Sequence, residues 1–218
     1  MRRRGATTLS AGGESGRVAV VATVLLALAT VATAWSGYQA SRWSAETTKA
    51  TMRGTAARVE STRASDLANA QAQIDVAVFT QWADAYASGE KLLRDFYFER
   101  FRPEFKPAVV AWIATRPLKN PNAPLTPFAM PQYTSKARDD AARLEAQADA
   151  WAATARRNVQ RSTNYVLGVV LFAAALFFAG MSTKLASGRL GVAMLTIGIV
   201  VFGCTLVWIA VSPVSISV

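Results

Sequence analysis

The chain contains no histidine. That absence removes the commonest general base and the commonest metal ligand. Its single cysteine, Cys204, lies within an apolar run, so an intrachain disulfide and a thiolate metal cluster are both ruled out. Residue supply alone therefore excludes histidine-ligated haem, zinc sites of the usual His/Cys kind and Cys–His catalysis. Carboxylates for Mg2+ or Ca2+ are present, but no loop has a carboxylate-rich, Gly-turned ligand pattern. There is no phosphate-binding glycine loop, no H-E-x-x-H, no G-x-S-x-G and no dinucleotide fingerprint. Asp139 and Asp140 are adjacent and point to different helix faces, and Glu99 with Glu104 reads as a solvated pair. No catalytic, cofactor-binding or metal-binding residue is expected, and the chain reads as a non-enzyme.

Charge is also missing where it would matter most. Tyr165–Thr183, YVLGVVLFAAALFFAGMST, and Leu190–Ser212, LGVAMLTIGIVVFGCTLVWIAVS, hold no charged residue. About 20 apolar residues suffice for a helix to cross the hydrocarbon of a bilayer. A helix there also satisfies its own backbone hydrogen bonds. These stretches predict a transmembrane hairpin, with spans over 163–184 and 190–212. Residues 18–34, VAVVATVLLALATVATA, form a third uncharged run, read as a span over 18–35. Its rival is a signal peptide, because Ala32-Thr33-Ala34 resembles an A-x-A cleavage site after a basic start. With no charged side chain in any of these three runs, a proton relay, an ion-coupled transporter and a voltage sensor are disfavoured.

The hairpin loop, Lys184–Arg189, carries two cations, and short basic loops stay cytoplasmic. Trp35, Tyr38, Trp43, Tyr165 and Trp208 sit near span ends and predict an interfacial aromatic belt. Small residues recur every seven positions in the hairpin. Gly168, Ala175 and Ser182 share one line, and Gly191, Gly198, Thr205 and Ser212 another. In lipid, small residues let helix backbones approach closely. These lines predict packing faces, within the hairpin or between copies of the chain.

The formal charge of +10 is spread along the chain. Residues 1–17 contribute +3, residues 36–162 contribute +5 and the hairpin loop +2. No block concentrates it for nucleic acid. Basic residues beside spans suit anionic lipid headgroups instead. Residues 1–17 read as a disordered basic tail. Short loops and the N-terminus weigh most in setting orientation. The expected topology therefore has the N-terminus inside and residues 36–162 outside.

Residues 36–88 lack proline and predict one long helix continuing the first span, with a stripe at Leu67, Ile74, Val78 and Trp82. Gly89 should end it. The aromatic run that follows contains Phe96, Phe98, Phe101, Phe105 and Trp112 among Arg94, Arg100, Arg102 and Lys106. Two roles fit this run: a surface for a partner or for lipid headgroups, and, more simply, the core of the extramembrane domain. Residues 116–134 hold five prolines and predict an extended, polyproline-like strap. Helix resumes over 135–162, with Ser135 as N-cap, and runs without a breaker into the second span.

The strings TAWSGYQASRW (33–43), IDVAVFTQWADAY (74–86), RFRPEFKPAVVAWIATRPLKNPNAPLTPFAMPQY (100–133) and VLFAAALFFAG (170–180) together resemble a family of uncharacterised bacterial three-span membrane proteins. The resemblance covers about residues 20–218. It implies a bacterial inner membrane and brings no activity, cofactor or catalytic residue. In layout alone, the chain is similar to proton-channel subunits of energy-transducing motors and to chemoreceptor sensor regions.

The expectation is an all-α integral membrane protein with three transmembrane helices and a helical extramembrane domain between the first and second. Lipid, anionic headgroups and other copies of the chain are its expected partners. Its expected role is a structural or interaction subunit of the cell envelope, and the alternative is a homo-oligomeric channel or a motor-type channel subunit.

Overall fold

A computed structural model describes residues 9–185 and 188–215. Five α-helices carry the chain: α1 (Leu9–Ser88), α2 (Lys91–Glu99), α3 (Lys106–Ala114), α4 (Lys136–Ser182) and α5 (Gly188–Ala210). One 3-10 turn, Pro127–Ala129, lies before α4. The protein is all-helical at 83% helix, with no strand among the described residues. α1, α4 and α5 are each long and apolar enough to cross a membrane.

Helix boundaries follow local chemistry. Gly89 sits at φ +76, a conformation that costs glycine little, and α1 stops there. Ser135 Oγ accepts the Arg138 amide at 3.3 Å and caps α4. Pro107 occupies the first turn of α3, where its missing N–H costs nothing. α1 begins at Leu9, so residues 9–17 are helical where a disordered tail was expected. Propagating an existing helix fixes one residue per hydrogen bond, so the apolar run behind it extends the helix toward the N-terminus. Residues 1–8 of that tail, and residues 186 and 187 of the hairpin loop, lie outside the described residues.

The chain divides into two units. One ends at Met52 and resumes at Ala152; the other is Arg53–Trp151. α1 and α4 supply residues to both.

The three-helix unit buries one seam of each helix at alternating three- and four-residue steps. On α1 the seam includes Ala22, Leu25, Ala29, Ser36, Gln39 and Trp43; on α4, Tyr165, Phe172, Ala175, Ala179 and Ser182; on α5, Leu195, Thr205 and Ile209. This is the spacing of coiled-coil packing. Ala22, Leu25, Ala179 and Leu195 form one cluster from all three helices. Ala40, Trp43, Tyr165, Phe172 and Ile209 form a second.

The Arg53–Trp151 unit starts from the same kind of seam. Gly54, Ser61, Ala68, Asp75 and Trp82 are buried on α1 at seven-residue steps. Ser61 Oγ donates to the Ala141 carbonyl of α4 at 2.9 Å, and Arg58 pairs with Asp149 at 2.9 Å, so α1 and α4 lie antiparallel here. The seam differs from the expected stripe, because Leu67 and Ile74 face outward. Small side chains are what allow two backbones to approach. At its far end the seam opens into a ring cluster of Trp82, Phe101, Phe105, Val109 and Trp112, with Phe79, Phe128 and Tyr133 packed around it.

Candidate interaction surface and the core that supports it

The ring cluster fixes the Arg53–Trp151 unit. Trp82 stacks on Phe79 and Tyr86 at 5.8 and 4.8 Å between centroids, and Phe105 stacks on Phe128 at 4.9 Å. Large rings bury 150–250 Å2 each, and their edge and face contacts add about 0.5–1.5 kcal/mol per pair. This placement corrects the surface reading of Phe101, Phe105 and Trp112, all of which are buried. α2 ends at Glu99 and Pro103 follows, so the chain turns between Phe98 and Phe105. Phe101 and Phe105 then face inward on turns. Phe98 is half-buried against the cluster. Only Phe96 of the five stays exposed, with the Arg100 guanidinium over its ring at 3.4 Å.

A buried ion pair pins this core to α1. Arg102 Nε and Nη2 donate to Asp75 Oδ1 and Oδ2 at 2.9 and 2.8 Å, and Nη1 donates to Glu104 at 2.6 Å. Tyr133 O–H donates to Asp75 Oδ2 at 3.4 Å. The Asp75 side chain is almost wholly buried. A bidentate fork of this kind fixes orientation as well as energy. Bonding to Asp75, against the opposing effect of burial, raises the pKa of Arg102. Burial, reinforced by the Asp75 charge, pushes the Tyr133 phenol up as well. Sequence reading missed Asp75, because a lone carboxylate on a long helix reads as solvated and its partner is 27 positions away.

The strap is a chain of turns, not an extended segment. Arg116 adopts φ 55, and its carbonyl accepts the amides of Lys119 and Asn120 at 2.8 and 2.9 Å. Asn120 Oδ1 accepts the Asn122 amide at 3.0 Å. The Trp112 indole donates to the Pro124 carbonyl at 2.6 Å, Pro127 is buried, and a 3-10 turn follows. Proline fixes φ and removes a donor without forcing an extended path. Here asparagine and carbonyl groups close the turns between prolines.

Glu99 and Glu104 do not converge; they pair with Lys106 and Arg102 respectively. Among the described residues no three carboxylates or thiols gather at one point.

In the three-helix unit, six of the seven small residues of the expected lines are buried, and Ser212 is half-buried. A Cβ built on Gly191 would lie 2.9 Å from the Ser182 carbonyl oxygen, and one on Gly198 would lie 3.3 Å from that of Ala175. These lines bring α4 and α5 together. A Cβ on Gly168 would meet the Ile209 side chain.

The aromatic belt separates into two groups. Trp35 and Tyr38 are exposed, and Trp208 packs partly into the core. Trp43 and Tyr165 are buried and do not face outward as belt residues would. Their polar ends, Trp43 Nε1 and Tyr165 O–H, both donate to the Pro213 carbonyl at 3.1 and 3.2 Å. Gln39 Oε1 accepts the Ser215 amide at 3.0 Å. Together these three side chains clasp the segment after α5. Nothing in composition or spacing signals the clasp, since it joins positions more than 40 residues apart.

No family model, no curated protein and no solved structure matches the chain.

Proposed function

We propose that this protein is a non-enzymatic structural or interaction subunit of a bacterial inner membrane. In this reading α1, α4 and α5 cross the bilayer, and Arg53–Trp151 is an extracytoplasmic domain inserted between the first and second spans. The N-terminus is cytoplasmic, and copies of the chain associate with one another or with another membrane subunit. One observation carries the reading. The Arg53–Trp151 unit has a ring core of its own, yet leaves Leu92, Phe96, Leu118 and Leu125 outside it. A unit already supplied with a core has no folding need for further large apolar groups on its surface. Leu92 and Phe96, one turn apart on α2, and Leu118 and Leu125 on the strap are the contact points this reading offers.

The alternative is a homo-oligomeric channel lined by hydroxyls. It has less support, because the hydroxyls of Thr23, Thr30, Thr196 and Thr205 each donate to a carbonyl of their own helix. Reconstituted ion flux separates the two. A scaffold gives none above empty liposomes, and a channel gives flux that rises with protein.

Sidedness is tested with Cys204→Ser and Asn122→Cys together. A membrane-impermeant maleimide should label intact cells at Asn122→Cys. Protection in intact cells with labelling after lysis would put the inserted unit in the cytoplasm and return weight to the motor-like layout. Cross-linking of the purified chain in detergent should give discrete multimers; a monomer at every concentration would remove self-association from the proposal.

A further inference from the structure

We infer that the proline-rich strap, residues 116–126, docks on an anionic lipid bilayer surface. This inference rests on the interaction-subunit reading above and names its partner. The first observation is electrostatic. Between Glu104 and Asp139 the chain has no carboxylate, while Lys106, Arg116, Lys119, Lys136 and Arg138 supply five cations. Lys106 pairs with Glu99, and the other four pair with no carboxylate among the described residues. Arg116 and Lys119 are exposed on the strap itself.

The second observation is apolar. Leu118, between those two cations, is 66% exposed, and Leu125 is 94% exposed. Neither is loose. Leu118 lies inside the turn closed on the Arg116 carbonyl. Leu125 follows Pro124, whose carbonyl holds the Trp112 indole, and precedes buried Pro127 by two residues. The backbone on both sides of Leu125 is thus fixed to the core while its side chain points away from it. Holding a leucine outward keeps its apolar surface in water, which is unfavourable in the isolated chain.

Charge complementarity selects an anionic partner. The two leucines select a bilayer among anionic partners. A headgroup interface accepts single apolar side chains without a matching pocket, and adjacent cations then meet lipid phosphates. A folded acidic protein would need a shaped surface for each leucine.

The test keeps the chain whole, in nanodiscs of phosphatidylcholine, and adds sedimentable vesicles. Vesicles containing phosphatidylglycerol should capture the loaded nanodiscs, and pure phosphatidylcholine vesicles should not. Each cation contributes about fivefold, so R116Q/K119Q should weaken capture roughly 25-fold. L118S/L125S should weaken it by about tenfold or more, since each leucine loses its apolar insertion. Raising salt should weaken wild-type capture. Both variants should keep the near-ultraviolet circular dichroism of the ring core, since they change exposed side chains only.

Capture no greater than that of empty nanodiscs would overturn the proposal. So would capture that survives L118S/L125S, and if soluble polyglutamate competes in that case, the strap is a site for an acidic protein. Multimers from the same preparations report separately on the scaffold reading. Multimers without vesicle capture would sink lipid docking alone.

Discussion

The two units of this chain begin from the same device and finish it differently. Each buries helix seams on a seven-residue repeat, with alanine, glycine and serine at many of the positions. In the three-helix unit that device continues along α4 and α5, where backbones approach until a single added carbon would touch a carbonyl. In Arg53–Trp151 it runs out at Asp75, and ten rings plus one buried ion pair complete the core. On the proposed topology, the difference corresponds to two solvents. In water, rings gain from leaving the solvent. In lipid, where no such gain exists, close backbone packing and interhelical hydrogen bonds replace it. The two units should therefore fail under different kinds of substitution.

The largest effect is expected from Arg102→Gln. It leaves Asp75 charged, buried and without its fork. Breaking a buried pair from one side costs about 3–5 kcal/mol. The Arg53–Trp151 unit should lose its near-ultraviolet circular dichroism at a lower temperature. Removing the exposed partner of Asp149 by Arg58→Gln should cost about 0.2–1 kcal/mol, because both groups stay solvated. Equal effects from the two substitutions would mean the Asp75 pair is no pin.

That contrast also shows where the sequence was readable. The uncharged runs revealed the three long helices, Gly89 and Ser135 marked two of their ends, and the seven-residue lines of Gly168 and Gly191 predicted packing faces. Each of these signals is local, because a helix reads its own composition. The ring cluster was half legible: the rings were plain, but Phe101 and Phe105 turn inward only because Pro103 follows the end of α2. The outward strap leucines, the clasp on Pro213 and the Asp75–Arg102 pair were not legible. The leucines depend on turns closed by backbone carbonyls, and the other two depend on which face of α1 is buried. Hydrophobicity pointed to Leu67 and Ile74, whereas the seam takes Ser61, Ala68 and Asp75 because small groups admit α4.

A middle-sized effect should sharpen the comparison from the other side. Gly191→Ala puts a carbon against the Ser182 carbonyl, a backbone atom that cannot swing away. Overpacking of this kind costs about 1–3 kcal/mol. Gly168→Ala should cost less, since the nearest atom is the Cδ1 end of Ile209. Gly203→Ala meets nothing within 4 Å. It should be neutral or stabilising by up to about 1 kcal/mol through helix propensity. Unfolding in mixed detergent micelles, followed by the tryptophans, would rank them. The order Gly191, Gly168, Gly203 is expected. A flat series would show that backbone approach does not limit this unit, and the contrast with the ring core would disappear.

The smallest effect separates the ion pair from the rings around it. Tyr133→Phe keeps the ring against Phe105 and Phe128 and removes only the long bond to Asp75. At neutral pH it should cost no more than about 1 kcal/mol. Alkaline pH should distinguish it further. The Tyr133 phenol is neutral below its pKa, and burial first, then the Asp75 charge, hold that pKa above the ordinary value of about 10. The folded chain therefore keeps this proton more tightly than the unfolded chain does. Its contribution is complete below pH ~10 and is lost as pH rises through the raised value. Wild-type stability should fall across that range more steeply than that of Tyr133→Phe. Parallel curves would mean that the phenol is solvated in the folded state, and that Asp75 is held by Arg102 without its help.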